Sequence, residues 1–318
     1  MRTFTDDEMQ IFRSLCRFSQ RGLHTALYKT FTEIYGNQNV IDSEKYLYLK
    51  GDIPVLLVAH MDTVFKRPNN KIYFDCEENV LWGGPEGMGA DDRAGIFGII
   101  WLTTCYDFRP HILFVEDEEI GGGGSIAAVN EEKINPDNFK YVIELDRANQ
   151  NDCVFYDCDN REFEKYVNSF DFITAHGTFS DISILCPAWK KAGVNLSIGY
   201  QNEHTLAEIL VIHWMLETLE KVAQMLEDID NVDNFEYIPA RSDFNLYRCD
   251  KCHRPMPYPH MIFIPKEYTL DKREGKKYCI SCSRDNINFC NTCDEFYEAT
   301  SEDSPCPVCG PKGGGAIV

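Results

Sequence analysis

Apolar residues recur three and four apart over roughly 5–35, where Phe12, Leu15, Leu23, Leu27 and Phe31 line one face and acids fill the first turn. That spacing predicts helix. Residues 44–50 (EKYLYLK) alternate, as an edge-type strand does, and VLLVAH after Pro54 is a continuous apolar run suited to a buried strand. Residues 71–76 and 79–82 read as a strand pair. Ala94, Ile96, Ile99, Ile100 and Leu102 predict a helix over about 92–106, and HILFVE at 111–116 a further buried strand. A short helix is expected at about 125–132, a strand at 140–146 (KYVIELD), a helix near 180–190 and a strand at 193–198 (GVNLSI). A long amphipathic helix is expected over 205–228, with His204-Thr205 at its start.

Strands alternating with helices predict an α/β three-layer sandwich around a mostly parallel mixed sheet. Ligands of such sheets bind beyond the carboxyl ends of the strands. His60, Glu118 and Asp146 each fall at or just after the end of a predicted strand. The stretch 231–243 (NVDNFEYIPARSD) breaks the pattern and reads as a linker, giving domains of 1–240 and 241–318.

The chain has 318 residues, enough for a full core and a second module. Its formal charge of -20 lies almost wholly before residue 240. An acidic main domain argues against binding a phosphate backbone, and the charge-balanced tail gives no support for nucleic acid either. No stretch approaches the roughly twenty apolar residues of a membrane span. Residues 1–20 lack the basic start and apolar run of a secretory signal. Of fourteen cysteines, six are scattered (Cys16, Cys76, Cys105, Cys153, Cys158, Cys186), and eight form four Cys-x-x-Cys pairs near the C-terminus. That is zinc spacing with reduced remaining thiols, which points to the cytoplasm.

Five segments carry the chemistry: His60-Met61-Asp62, Gly89-Ala90-Asp91-Asp92, Glu118-Glu119-Ile120-Gly121, Glu144-Leu145-Asp146 and Asn202-Glu203-His204-Thr205. Two histidines and several carboxylates suffice to hold two zinc ions around an activated water. His60 and Asp62 are two apart at a strand end and share a face, so Asp62 can orient the imidazole. Asp91 offers two oxygens to bridge two metals. Glu119, Asp146 and His204 complete the ligands, and Glu118 is left as general base. Each segment alone has an ordinary explanation: a hydrogen-bonded pair, an N-cap, a solvated acidic loop. Their conjunction on an α/β frame points to a hydrolase.

These segments resemble the co-catalytic dizinc exopeptidases, the group of peptidase T, the aminoacylases and the bacterial zinc aminopeptidases. The matching residues are LLVAHMDTV, GMGADDRAGI, FVEDEEIGGGGS, IELD and NEHT, within about residues 50–215. The resemblance implies a zinc-exopeptidase-like fold. It implies one zinc on His60, Asp91 and Asp146, another on Asp91, Glu119 and His204, Glu118 as base and Asp62 as orienter. It further implies a cis Asp91-Asp92 peptide and, from an Asp at the fourth position, aminopeptidase activity on small peptides. An N-acyl amino acid deacylase on the same site is the alternative. A non-catalytic adaptor binding a protein partner is the reading from a different class. Only 57 residues separate Asp146 from His204, too few for the inserted lid domain of many relatives. The oxyanion-stabilising histidine such a lid supplies is missing, and His176 or Tyr200 could stand in.

In the tail, Cys249, Cys252, Cys279 and Cys282 form one candidate four-sulfur set and Cys290, Cys293, Cys306 and Cys309 the second, with an interleaved pairing as the other option. Two structural zinc ions in a ribbon module are expected, for a total of two catalytic and two structural Zn2+. Tyr258, Phe263 and Tyr268 suit a small core or a partner surface, and the end KGGGAIV reads as disordered.

Overall fold

The computed structural model describes residues 2–240, 247–256, 261–284, 286–293, 295–301 and 303–310. The chain divides into two units, Met1–Ala240 and Arg241–Val318. The first unit opens with helices α1 (Asp6–Leu15) and α2 (Gln20–Tyr35), then strands β1 (Val40–Asp42), β2 (Tyr46–Leu49), β3 (Ile53–His60), β4 (Ile72–Asp75) and β5 (Val80–Gly83). Helix α3 (Ala90–Cys105), strand β6 (Pro110–Val115) and helix α4 (Gly123–Asn130) follow, then β7 (Tyr141–Arg147), β8 (Asp152–Val154), α5 (Arg161–Asn168), β9 (Ile173–Thr174) and α6 (Ile182–Trp189). Strands β10 (Gly193–Ser197), β11 (Tyr200–Gln201) and β12 (Ile209–Val211) lead into α7 (Ile212–Glu227).

The main sheet has the order β1-β2-β6-β3-β7-β10-β8-β9. Its centre, β6-β3-β7-β10, is parallel, and antiparallel pairs flank it on both sides. The central strands are apolar on both faces because helices cover both. Side chains alternate between two cores: Val55, Leu57 and Ala59 of β3 enter the larger, with α1, α2, α3 and α7, while Leu56 and Val58 enter the smaller, with α4 and α6. Helix α3 is apolar nearly all round because it lies between the sheet and other helices. This is the α/β sandwich the periodicity predicts. The segment between Asp146 and His204 supplies β8, α5, β9, α6, β10 and β11, so no inserted lid domain is present there.

Four local expectations change. The helical stretch 5–35 is two helices: Thr5 and Glu8 form a capping box on α1, and Ser19 caps α2 anew. EKYLYLK is not an edge strand. β1 covers its outer side, Leu47 and Leu49 enter one core, and Tyr46 and Tyr48 enter the other. The long helix expected over 205–228 begins at Ile212, because Ile209–Val211 pairs with β5 in a second, four-stranded antiparallel sheet. The stretch read as a linker packs onto the first unit as far as Ala240, with Phe235 against Tyr141, Phe163 and Tyr166.

His111 on β6 is buried with Tyr48 Oη 2.6 Å from its Nδ1, and burial pushes its imidazole down to about 4. The folded chain therefore stays neutral there while the unfolded chain takes up a proton below about 6.5. This contribution is fully present above that value and is lost as pH falls toward 4, by about 2 kcal/mol between pH 7 and pH 5. Urea unfolding followed by tryptophan fluorescence should show it, since all four tryptophans precede residue 240. His111→Gln should lose correspondingly less stability over that window. Equal losses in the two proteins would refute the assignment.

The second unit is built of hairpins. β13 (Tyr247–Arg248) pairs with β14 (Pro255–Met256), β15 (Met261–Ile264) with β16 (Lys276–Cys279), which leads into a short helix α8 (Ile280–Ser283), and β17 (Ile287–Cys290) with β18 (Glu295–Glu298). Its cores are small and centred on cysteines. Phe263 packs in the first, Tyr268 in the second, whereas Tyr258 and KGGGAIV lie outside the described residues.

Candidate metal centre

Strand register brings the candidate ligands of the first unit together. β3 pairs with β7 so that Val58 faces Glu144, which sets Asp146 level with His60. β3 also pairs with β6 so that His60 faces Val115, and the chain then turns through Glu118 and Glu119. Gly122, at φ 71°, makes this turn possible, and its N–H donates to Asp117 O at 2.9 Å. His204 arrives from the small sheet, in the tight loop between β11 and β12.

Asp91 stands between the two imidazoles. His60 Nε2 lies 2.9 Å from Asp91 Oδ1 and 3.5 Å from Asp146 Oδ1. His204 Nε2 lies 3.1 Å from Asp91 Oδ2 and 3.1 Å from Glu119 Oε2. Each ring nitrogen thus faces two carboxylate oxygens, and a single N–H is made for one acceptor. The Asp91-Asp92 peptide is cis. Asp62 Oδ1 lies 3.2 Å from His60 Nδ1, and its two oxygens accept the N–H groups of Glu118 and Glu119 at 3.1 Å each.

The donor set fits a pair of cations. Potential ligand atoms of His60, Asp91 and Asp146 lie within 4.8 Å of one another, as do those of Asp91, Glu119 and His204. Glu119 Oε1 is buried with no hydrogen-bond partner. Burial, followed by the charge of Asp91, pushes Glu119 up to about 7 and Asp146 well above the usual range. Burial also raises Glu118. A hydrogen bond to Asp91 lifts His204 to about 9. A cluster this acidic cannot stay fully ionised without positive charge beside it. These residues could therefore hold a metal cofactor.

Sequence reasoning missed the supports of this cluster. Glu208, fully buried, accepts the N–H groups of Gly89, Ala90 and Asp91 at 2.6, 3.1 and 3.2 Å, which fixes the non-helical start of α3 that carries Asp91. Asp92 accepts from His60 N at 3.1 Å and Gly95 N at 2.8 Å, tying strand end to helix start. A Cβ on Gly95 would strike Leu145 O, so glycine lets α3 approach β7 this closely. Asn195 clamps the Asp146 backbone from β10, accepting its N–H at 2.9 Å and donating to its carbonyl at 2.8 Å. Buried Glu144 accepts from Ser180 Oγ and from Asp181 N. No local signal marks Glu208 or Asn195, since their partners lie 118 and 49 residues away. Of the two residues considered for the oxyanion, Tyr200 donates to Asp146 Oδ1 at 3.1 Å, and exposed His176 lines the cavity over the site.

The tail cysteines group sequentially: Cys249, Cys252, Cys279 and Cys282, then Cys290, Cys293, Cys306 and Cys309. Cys252 Sγ to Cys279 Sγ is 3.9 Å and Cys293 Sγ to Cys306 Sγ 4.0 Å. Sulfurs bonded tetrahedrally to zinc at about 2.3 Å stand about 3.8 Å apart. Arg254 Nε, 3.3 Å from Cys252 Sγ, draws that thiol down to about 6 and favours the ligating thiolate.

Together the layers, the parallel strand ends and the second small sheet define the zinc-exopeptidase fold. Among solved structures the chain is similar to the aminopeptidase PepT of Bacillus cereus ATCC 10987, at 12% identity and a TM-score of 0.54 over 70% of this chain and 98% of that one. A tripeptidase of Staphylococcus aureus subsp. aureus Mu50 is similar at 11% identity and TM-score 0.51, over 71% of this chain and 98% of that one. The TET aminopeptidase of a marine sediment archaeon, Thaumarchaeota archaeon SCGC AB-539-E09, gives 11% and 0.50, over 71% and 99%. No protein-family model and no curated protein matches the chain.

Proposed function

We propose that the chain is a dizinc hydrolase of peptide bonds, an aminopeptidase or small-peptide exopeptidase, with two further zinc ions stapling the tail. The observation that carries this is the carboxylate of Asp91, with one oxygen 2.9 Å from the imidazole of His60 and the other 3.1 Å from that of His204. His60, Asp91 and Asp146 would hold one ion, and Asp91, Glu119 and His204 the other. Histidine with carboxylate is a donor set zinc accepts. The aminopeptidases and tripeptidase of the same fold favour a peptide substrate.

Bound cations would supply the charge that polarises a scissile carbonyl and acidifies water. Glu118, raised by burial, takes the proton of the attacking water and returns it to the leaving amine. Asp62 accepts from His60 Nδ1–H and so fixes the tautomer that turns the Nε2 lone pair into the site. The cavity over these groups measures about 370 Å³, in keeping with a small substrate. No helix among the described residues is long and apolar enough to cross a membrane, and the cysteine pattern favours the cytoplasm. In the tail, the rings of Phe289 and Phe296 meet edge to face at 5.1 Å and both residues are 43% exposed, a surface through which a protein partner could dock.

The test is a substrate panel with the zinc-loaded full chain. Free-amine di- and tripeptides should be cleaved with kcat/KM at least about ten-fold above N-acetyl amino acids, the low end of what differential binding of two substrates in one pocket gives. The reverse ratio would identify a deacylase. No turnover in either series would overturn the hydrolase.

A further inference from the structure

Arg147 follows the candidate ligand Asp146 at the end of β7 and lines the cavity that opens over Asp91, Glu118 and His204. Its side chain is 21% exposed. Nη2 donates to His176 O at 3.2 Å and stands 3.4 Å from Asp152 Oδ2, while Nε is buried without a partner. Among the described residues lining this cavity, it is the one permanently charged cation.

The charge of the cavity makes that cation informative. The four positive charges of two divalent ions would exceed those of Asp91, Glu119 and Asp146 by one, and Glu118 and Glu203 together outweigh that excess, so the cavity without Arg147 would still repel an anionic substrate. A guanidinium presents a planar fork of donors that matches a carboxylate. The backbone carbonyl of His176 holds it in place before any ligand arrives, which lowers the entropy lost on binding. Asp152, at 3.4 Å and 31% exposed, is a loose partner that an incoming carboxylate can outcompete.

We propose that Arg147 is a specificity-determining residue that binds a carboxylate of the substrate, so that the site prefers small anionic peptides. The carboxylate is either the free α-carboxylate of a dipeptide or the side chain of an N-terminal Asp or Glu. This inference rests on the hydrolase reading, and its test separates the two.

The zinc-loaded full chain is titrated calorimetrically with two pairs of uncleavable ligands, in which a CH2–NH group replaces the scissile amide. One pair is the Ala-Ala analogue and its C-terminal amide. The other is the Glu-Ala-amide analogue and its Gln twin. Wild type should bind the acid of one pair about ten-fold or more above its neutral twin, and which pair shows it identifies the source. Arg147→Met should bring that ratio near one, and Arg147→Lys should retain part of it. A ratio near one in both pairs, or a ratio that survives Arg147→Met, overturns the proposal. So does an Arg147→Met protein that melts earlier and binds all four ligands equally less well, for Arg147 is then only a clamp on the loop at His176. Cleavage of the matching peptides is measured in parallel. Cleavage without discrimination leaves the hydrolase and removes this role of Arg147. Discrimination without cleavage does the opposite.

Discussion

Glu118→Ala is expected to lower kcat by about 10³-fold or more while bound zinc stays at the wild-type level, because general base catalysis is lost and no ligand is. The geometry separates the two roles. Both Glu118 and Glu119 are tied to Asp62 through their backbone N–H groups, but only Glu119 also sets a carboxylate oxygen 3.1 Å from His204 Nε2. The half-buried carboxyl of Glu118 lines the cavity instead. Metal analysis beside steady-state kinetics checks this. Loss of zinc together with activity would mean that Glu118 is a ligand. Retained turnover would mean that the proton leaves by another route, and burial of Glu118 would then need a different explanation.

Asp91→Ala should have the larger effect on the metal. Both candidate ion positions use this one carboxylate, so its removal leaves two donors at each. Wild type is expected to hold about four zinc equivalents, two in the hydrolase site and two on cysteine, and the variant about two. Turnover should fall below detection. The two cysteine sets draw on no residue of the first unit, so their share of the zinc should be unaffected. The fold should survive, since Glu208 holds the start of α3 through backbone N–H groups that alanine retains. Mass spectrometry under native conditions, with circular dichroism as a folding control, reads both quantities. A variant that keeps four equivalents would show that Asp91 is not shared.

The candidate ligands were legible because each belongs to a short segment whose local setting is visible: a strand end for His60 and Asp146, a glycine turn at a helix start for Asp91. Their grouping follows from the parallel register of β3, β6 and β7, which an α/β pattern already implies. The loop bearing His204 was misplaced at a helix start. Its true setting depends on β12 pairing with β5, a contact across more than a hundred residues that local propensity does not register. EKYLYLK misled for a similar reason, since alternation of tyrosine and leucine there separates two cores rather than core from solvent.

By itself, the order of residues determined the class of fold, the candidate ligand types and the cysteine sets, because helix and strand periods and Cys-x-x-Cys turns are local properties of a chain. Only the tertiary structure decided that Glu208 and Asn195 hold the backbones at the candidate ligands Asp91 and Asp146, and that Arg147 shares a cavity with the acids. Those contacts join segments far apart in sequence, and the burial that gives them force exists only once the sheet and its two helical layers have closed.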